Sequence, residues 1–600
     1  MVGLERWPQR RHYAHLLICR LLIIQTLQQR GFLPGGDRWY LQTCLGECQG
    51  QGHDHCFQSL ILPLCLQGLG LPPPERSPAL VDQWGDLPYL GGDLFEPQPW
   101  EQPPTVQIPD EPLENLLAWL AEQPWPEADT LDVDSQNPWA IACEGWLAPA
   151  PTPSLSPTTL NRRVEAAIAQ ALQARLKTVV GAGENGMAPL TGEMDLEQVG
   201  AIAAHRDQVA LWRERVLPNF AVLDPVCGSG RCLRAALLVL QRLYLALSPA
   251  TPALAAERQP LNTPAPTPAW AATAMILTHH LYGVDQRPEA IAITQCQLYL
   301  ALLATTSPAE GLAPLPPLTF NLRTGNALVG LIRVDAASFD QTLVPDTATA
   351  IQGDLLQPLA AESYHTLLQE KHIRLEHYRA QTQALGESAT VPDYAQAAFL
   401  RDRIQALHHT AQTKLNLLLL DEFSRKLGLR VRWSQTSPQD SSLHSRGRPR
   451  RRPLTSGDIE ALQPIHWGFH FSHLWQQAGG FAVIVTEPPT GTLRPNATEF
   501  YADHLPLFER LGLDLKSFHK QRHASLQQHP DLAIAWSAYA RTLFLLGDYL
   551  RRSPAYQPLD GSHHRPRVLY RAPLLKRRCA DLLAPGGVLV MLVTETDAPQ

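Results

Sequence analysis

The segment Ala221–Leu233, AVLDPVCGSGRCL, restricts the fold more than any other part of the chain. A short apolar run ends at Asp224, turns on Gly228-Ser229-Gly230, and enters a helix-like stretch, Arg231–Leu245. Glycines let a backbone bend sharply and approach a ligand with no Cβ in the way. The free N–H groups of the helix start beside them suit a phosphate or the carboxylate of an amino-acid-like cofactor. The GxGxxG spacing of a dinucleotide fold is absent, so a purely structural strand-to-helix turn stays open on this segment alone. A second unit follows in Leu281–Leu300: Tyr282-Gly283-Val284 reads as a strand, Asp285 ends it, and Pro288 opens a helix at a permitted early position. An acid at the end of a second strand is where an α/β fold holds ribose hydroxyls, at a usual interval of about twenty residues. Here a Pro/Ala-rich loop, Ser248–Trp270, lengthens the gap. A third turn, Asn321–Gly330, places Asn326 where an amide could address an adenine ring. Alternating strands and helices imply an α/β fold with a parallel sheet.

Six hundred residues exceed one core, so several domains are expected. Residues 1–125 read as mainly helical, with apolar residues at helical spacing in His15–Arg30 and Leu113–Gln123. Residues 126–160 are rich in Pro, Ser and Thr and read as a linker. Residues 161–600 form the α/β region, with cofactor-type turns over 221–330 and two further interruptions. One is a helical hairpin within 363–426. The other is a polar loop, 436–458, holding Arg446, Arg448, Arg450, Arg451 and Arg452. Leu16–Leu27 is apolar but short and broken by Arg20, which predicts a buried helix, neither a signal peptide nor a membrane span. A net charge of −7 argues against a generally basic coat and leaves room for a local basic patch. Ten cysteines without a secretory signal point to reduced thiols and a cytoplasmic protein.

Five stretches together resemble one family. DPVCGSGRCL resembles the DPACGSGxFL motif of amino-DNA methyltransferases, LYGVDQRPEAIAI their YGVDxxPxAVxxA motif, and GNALVG their GNSLIG motif. LPYLGGDLFEP with IPDEPLENLLAWL is similar to the LPYLNGGLFEP…IPDE stretch of type IIG restriction-modification enzymes. His466–Pro489 is similar to their HW…FPEVF…GGFDVVIGNPP. The resemblance implies a class I methyltransferase (Rossmann-like) sheet after a helical N-terminal domain, S-adenosylmethionine as cofactor, and adenine-N6 in double-stranded DNA as substrate. Asp224, Pro225, Cys227, Gly228 and Gly230 fall on the methionine-end motif, Asp285 on the ribose-binding acid, and Asn326 on the adenine-proximal position. The family's Tyr-Thr-Pro segment has only Leu155-Ser156-Pro157 as a counterpart, without the aromatic.

Within residues 481–490 the resemblance places the catalytic motif at Glu487-Pro488-Pro489-Thr490, where the family carries Asn/Asp-Pro-Pro-aromatic. Ala482 stands where the family usually has Asp. The family's motif suits its chemistry: the base leaves the duplex and stacks on a ring, while a side-chain acceptor and a proline carbonyl hold its amine. Glu487 is one methylene longer than Asp, and a displacement near 1 Å costs about 10²-fold in rate. Thr490 forfeits roughly 1–3 kcal/mol of stacking. These changes predict little or no methyl transfer, unless Phe500 or Tyr501 supplies the ring.

The alternatives are a non-catalytic DNA-binding or scaffolding subunit of such a system, and methylation of RNA or a protein amide. No PD…ExK nuclease set precedes the linker's end, so cleavage is not expected. The element around Gly586-Gly587 and Val588–Val593 resembles the family's fifth strand. Two more strands and a target-recognition domain would follow, so a second polypeptide is expected to supply them, unless a local loop covers that edge. Cys44, Cys48, His53, His55 and Cys56 crowd one stretch and could surround a tetrahedral zinc. Their spacing matches no pair-of-pairs pattern, and no metal is expected. The arginines of 446–452 read either as phosphate contacts or as a solvated loop.

Overall fold

The computed structural model describes residues 7–50, 54–101, 106–122, 156–180, 206–247, 267–306, 308, 311–342, 363–384, 391–433, 450–557 and 568–592. His53, Leu155, Arg446, Arg448, most of the linker and most of the Ser248–Trp270 loop lie outside them.

Val222–Asp224 (β1), Leu281–Asp285 (β2) and Phe481–Thr486 (β6) are buried along their whole length. Such runs fit strands covered on both faces of a parallel sheet. They pair with Leu322–Thr324 (β3) and Leu583–Met591 (β7) in the order β3-β2-β1-β6-β7, every neighbour parallel. A separate antiparallel pair joins Val431–Trp433 (β4) to Arg450–Arg452 (β5). Side chains alternate between faces along a strand, so Val222, Val483 and Val485 enter one core while Leu223 and Ile484 enter another.

The first core is built with Trp7–Gln29 (α1), Pro157–Val180 (α2), Arg231–Ala246 (α3) and Pro288–Leu303 (α4). The second lies under Trp467, Phe471, Leu474 and the helix Arg571–Leu582 (α7). Between β3 and β4 in the chain, Tyr364–Ala384 (α5) and Val391–Asp421 (α6) pack on each other. The hairpin expected there is present.

The N-terminal helices share the sheet's core. Helix α1 packs along α4, Cys19 and Cys296 meet, and Arg11 pairs with Glu289 at 2.6 Å. Arg20, the break in the apolar run, is fully buried and ion-paired with Glu101, while its Nε donates to Leu94 O at 2.6 Å. The buried-helix expectation holds, and no described helix is long and apolar enough to cross a membrane.

Three expectations are corrected. Residues 157–160 belong to α2, because Pro157 opens the helix and the Ser156 hydroxyl accepts from Thr159 N. The described end of the 436–458 loop is ordered as β5 followed by a capped helix, Ser456–Glu460, and Arg452 is locked to Asp458 at 2.6 Å. The last strand is Leu583–Met591, not 588–593. It pairs Phe481 with Leu583 and then Val483 with Val588, so a bulge, with Gly586 at φ 76°, absorbs the extra residues.

Candidate active site

In an open parallel sheet the crevice lies outside the carboxyl ends of the strands, where the strand order reverses. Here that point is between β1 and β6, because β1 is followed in the chain by β2 on one side and flanked by β6 on the other. Asp224 ends β1 and Glu487 follows β6, so the two motifs meet at the switch point.

The turn after β1 is held by backbone bonds. Asp224 Oδ1 accepts from Val226 N at 3.1 Å, Cys227 N donates to Val284 O at 2.9 Å, and Gly230 N donates to Cys227 O at 2.8 Å. Pro225 lies between Asp224 and Val226 and is buried. Gly230 has φ 86°, and a Cβ there would sit 3.0 Å from Thr294. Gly228, at φ 55°, has no atom within 4 Å of the corresponding position. One glycine is thus needed for packing on α4, and the other leaves open space before the turn. Burial pushes the Asp224 carboxyl up to about 7, and Glu487 adds to the rise. Burial likewise raises the Cys227 thiol well above its ordinary range, so this cysteine is a packing residue and not a nucleophile.

Asp285, at the end of β2, is 4% exposed. Its Oδ2 accepts from Gly228 N at 3.0 Å and its Oδ1 from Arg287 N at 2.9 Å. The expected ribose acid therefore also ties the glycine turn to the second strand. A carboxylate offers about four acceptor sites, so it retains capacity for hydroxyl donors. Gly325 N donates to Asp285 O at 2.8 Å, which brings β3 and Asn326 alongside. Asn326 is buried; its Oδ1 accepts from Leu328 N at 3.0 Å and its N donates to Gln463 O at 2.7 Å. Asp224, Gly228, Gly230, Asp285 and Asn326, distant in sequence, thus share one end of the sheet.

Glu487 is half-buried, and burial raises its carboxyl. Arg231, the first residue of α3, opposes that rise from 3.6 Å. Pro488 is buried, Pro489 half-buried, and Thr490 exposed. Phe500 cannot replace the missing ring: it is fully buried, with its ring 5.8 Å from Phe508 and 4.9 Å from Trp536. Tyr501 packs on Phe508 at 4.7 Å. Both belong to the core of a helical unit over 497–536, whose apolar spacing looks the same in sequence as an exposed aromatic pair.

Three residues escaped the sequence reading. Arg231 occupies an unmarked position within the motif. Thr294 donates its hydroxyl to Gly228 O at 3.1 Å from the middle of an apolar helix. Tyr570 is 55% exposed and bridges Thr492, while Arg571 N donates to Gly491 O at 3.1 Å. Tyr570 follows a stretch outside the described residues, and no local signal ties it to Thr490.

A cavity of about 460 Å³ runs along the β3 edge, beside α4 and α6, and is lined by Arg323, His408, His470 and Gln295. Arg323 Nη2 donates to His408 Nδ1 at 3.0 Å and His470 Nδ1 at 3.1 Å. Burial holds both imidazoles neutral. The cavity flanks the β3 edge and does not contain the converging motif residues, so those residues, and not the cavity, define the candidate site.

No protein-family model matches the chain, and no curated protein matches it. Among solved structures, the chain is similar to the Type IIL restriction-modification enzyme MmeI in complex with DNA, at 14% identity and a TM-score of 0.30. The match covers 49% of this chain and 35% of that one, so the chain spans about a third of the structure it matches.

Proposed function

We propose that the chain is an S-adenosylmethionine-binding protein of the adenine-N6 DNA methyltransferase type, from the modification side of a restriction-modification system, with weak or absent methyl transfer. The observation that carries this reading is the convergence of Asp224, the Gly228–Gly230 turn, Asp285 and Asn326 on the strand ends beside Glu487. The residues fit the cofactor: Gly228 faces open space, Asp285 retains acceptor capacity, and a sixteen-residue helix starts at Arg231. The N-terminus of α3 would face the cofactor carboxylate, Asp285 would accept from the ribose hydroxyls, and Asn326 would lie near the adenine ring. When bound, the cofactor supplies an electrophilic methyl group. Glu487 would accept an amine N–H of an extruded adenine, and the backbone carbonyl of Pro488 would accept another.

The second reading, a DNA-binding or scaffolding subunit that keeps the cofactor pocket, is favoured by two observations. Arg231 already engages the Glu487 carboxylate, and Thr490 offers no ring. Calorimetry with S-adenosylmethionine tests the shared part: binding is expected in the wild type and weakened by Asp285→Ala, and a folded chain that gives no heat defeats both readings. Labelled S-adenosylmethionine with unmethylated genomic DNA, followed by adenine-N6 analysis, separates them.

A further inference from the structure

Far from the strand ends, the N-terminal region gathers three soft or borderline donors. Cys48 sits near the end of the helix Tyr40–Gln49, and His55 and Cys56 open the following helical segment. One ligand atom from each lies within 4.8 Å of the other two. Cys48 and Cys56 are buried, and Cys48 Sγ lies 3.6 Å from His55 Nε2. A zinc bound at about 2.3 Å to sulfur and 2.05 Å to nitrogen, at a tetrahedral angle, separates those two atoms by about 3.6 Å.

The backbone that carries the donors is fixed independently of them. Asp110 Oδ2 accepts from Asp54 N at 2.8 Å and Oδ1 from Cys56 N at 3.0 Å, while Asp110 N donates to Asp54 Oδ1 at 3.0 Å. This clamp holds Asp54 at φ 56°, a left-handed conformation that costs a non-glycine residue energy. The turn at Asp54 leads directly into His55 and Cys56, whose ligand atoms lie beside that of Cys48. The other imidazole nitrogen, His55 Nδ1, is buried with no hydrogen-bond partner among the described residues. Cys48 Sγ also has Ser59 Oγ at 3.1 Å, and the two thiols and the imidazole face one another at metal-ligand spacing.

We propose that Cys48, His55 and Cys56 bind one zinc ion, with water at the fourth position. Two thiolates and one imidazole favour zinc over harder cations. Binding displaces one proton from each thiol, and the metal ties the end of the Tyr40–Gln49 helix to the next helical segment. Cys44, a turn earlier on the same helix, bonds the Tyr40 hydroxyl and stays outside the set.

The full chain, produced in zinc-supplemented medium and dialysed, is expected to retain about one zinc per molecule by elemental analysis. Cobalt exchanged into it should give thiolate-to-metal charge-transfer bands with tetrahedral d–d absorption. The Cys48→Ser/Cys56→Ser double variant should lose the metal, and Cys44→Ser should keep it. Zinc release from the wild type covers the case of a misfolded variant: a thiol-modifying mercurial should free about one zinc per molecule into a metallochromic dye. The proposal is overturned by a metal-free wild type, a Cys48–Cys56 disulfide in its place, retention by the double variant, or loss in Cys44→Ser.

Discussion

Arg231 Nη1 lies 3.6 Å from Glu487 Oε2, so the first residue of the helix after the glycine turn reaches the acid after β6. Neither side chain is fully exposed, at 14% and 32%. Their charges are therefore screened less than a surface pair. The contact couples the glycine-turn side of the site to the acid that the proposed function assigns to the target amine. At that distance it is an ion pair and not a hydrogen bond.

If the proposed function holds, placing Asn at 487 and Tyr at 490 should raise methyl transfer. Glu487→Asn frees Arg231 from its charge partner, and Thr490→Tyr adds a ring worth roughly 1–3 kcal/mol of stacking. Adenine-N6 analysis of DNA treated with the double variant should exceed the wild type by at least about 10-fold, given the usual cost of misplacement. Robust and equal transfer by the two proteins would show that the wild-type residues suffice, and no transfer by either would contradict the prediction.

The two turn glycines should respond differently to alanine. Both hold left-handed φ, which costs an alanine about 1–2 kcal/mol. Gly230→Ala also drives a methyl to within 3.0 Å of Thr294, an overpacking penalty of about 1–3 kcal/mol. Thermal denaturation should rank Gly230→Ala well below Gly228→Ala, whereas calorimetry should show Gly228→Ala losing cofactor affinity. A reversed order of stability would contradict the packing described.

Asp224 should make stability depend on pH. Its folded carboxyl titrates at about 7, above the unfolded value of about 3.9, so the native state holds the extra proton between them. Stability therefore falls as pH rises through that window and levels off above about 7. Between pH 5 and 8 the wild type should lose roughly 2–3 kcal/mol more than Asp224→Asn in urea titrations. Parallel curves would mean that Asp224 is ionised throughout.

Glu101→Ala should be among the most destabilising single changes. It would leave the fully buried Arg20 guanidinium without its carboxylate, and it would remove the acceptor of the Tyr13 hydroxyl at 2.9 Å. Breaking one side of such a pair costs about 3–5 kcal/mol. An Arg20→Met/Glu101→Leu double variant should recover most of that loss in chemical denaturation. No recovery would place the energy elsewhere than in the stranded charge.

Tyr570 is an exposed ring whose backbone bridges Thr492, in the loop after Thr490. If DNA docks at the switch point, Tyr570→Ala should weaken duplex binding about 5- to 100-fold, whereas Tyr570→Phe should not, because stacking needs only the ring. Fluorescence anisotropy at fixed salt checks this, and equal losses in both variants would assign the effect to the hydroxyl.

Local signals settled a good deal in the sequence. Runs of apolar residues ending in Asp224 and Asp285 marked strands β1 and β2, and the glycine turn and Pro288 fixed where α3 and α4 begin, because φ constraints and strand length act over a few residues. The apolar run with Arg20 inside it was legible as a buried helix. Glu101, which makes that arginine tolerable, was not legible, being eighty-one residues away.

Tertiary structure decided everything that rests on long-range pairing. It set the strand order, and with it the switch point that brings Glu487 to Arg231. It turned Phe500 inward, since burial depends on what the rest of the chain packs against it. Among the described donors it also brought Cys48, His55 and Cys56 together, beside the reciprocal bonds of Asp54 and Asp110, fifty-six residues apart. Spacing along a chain constrains only neighbours; which distant groups become neighbours follows from how the cores close.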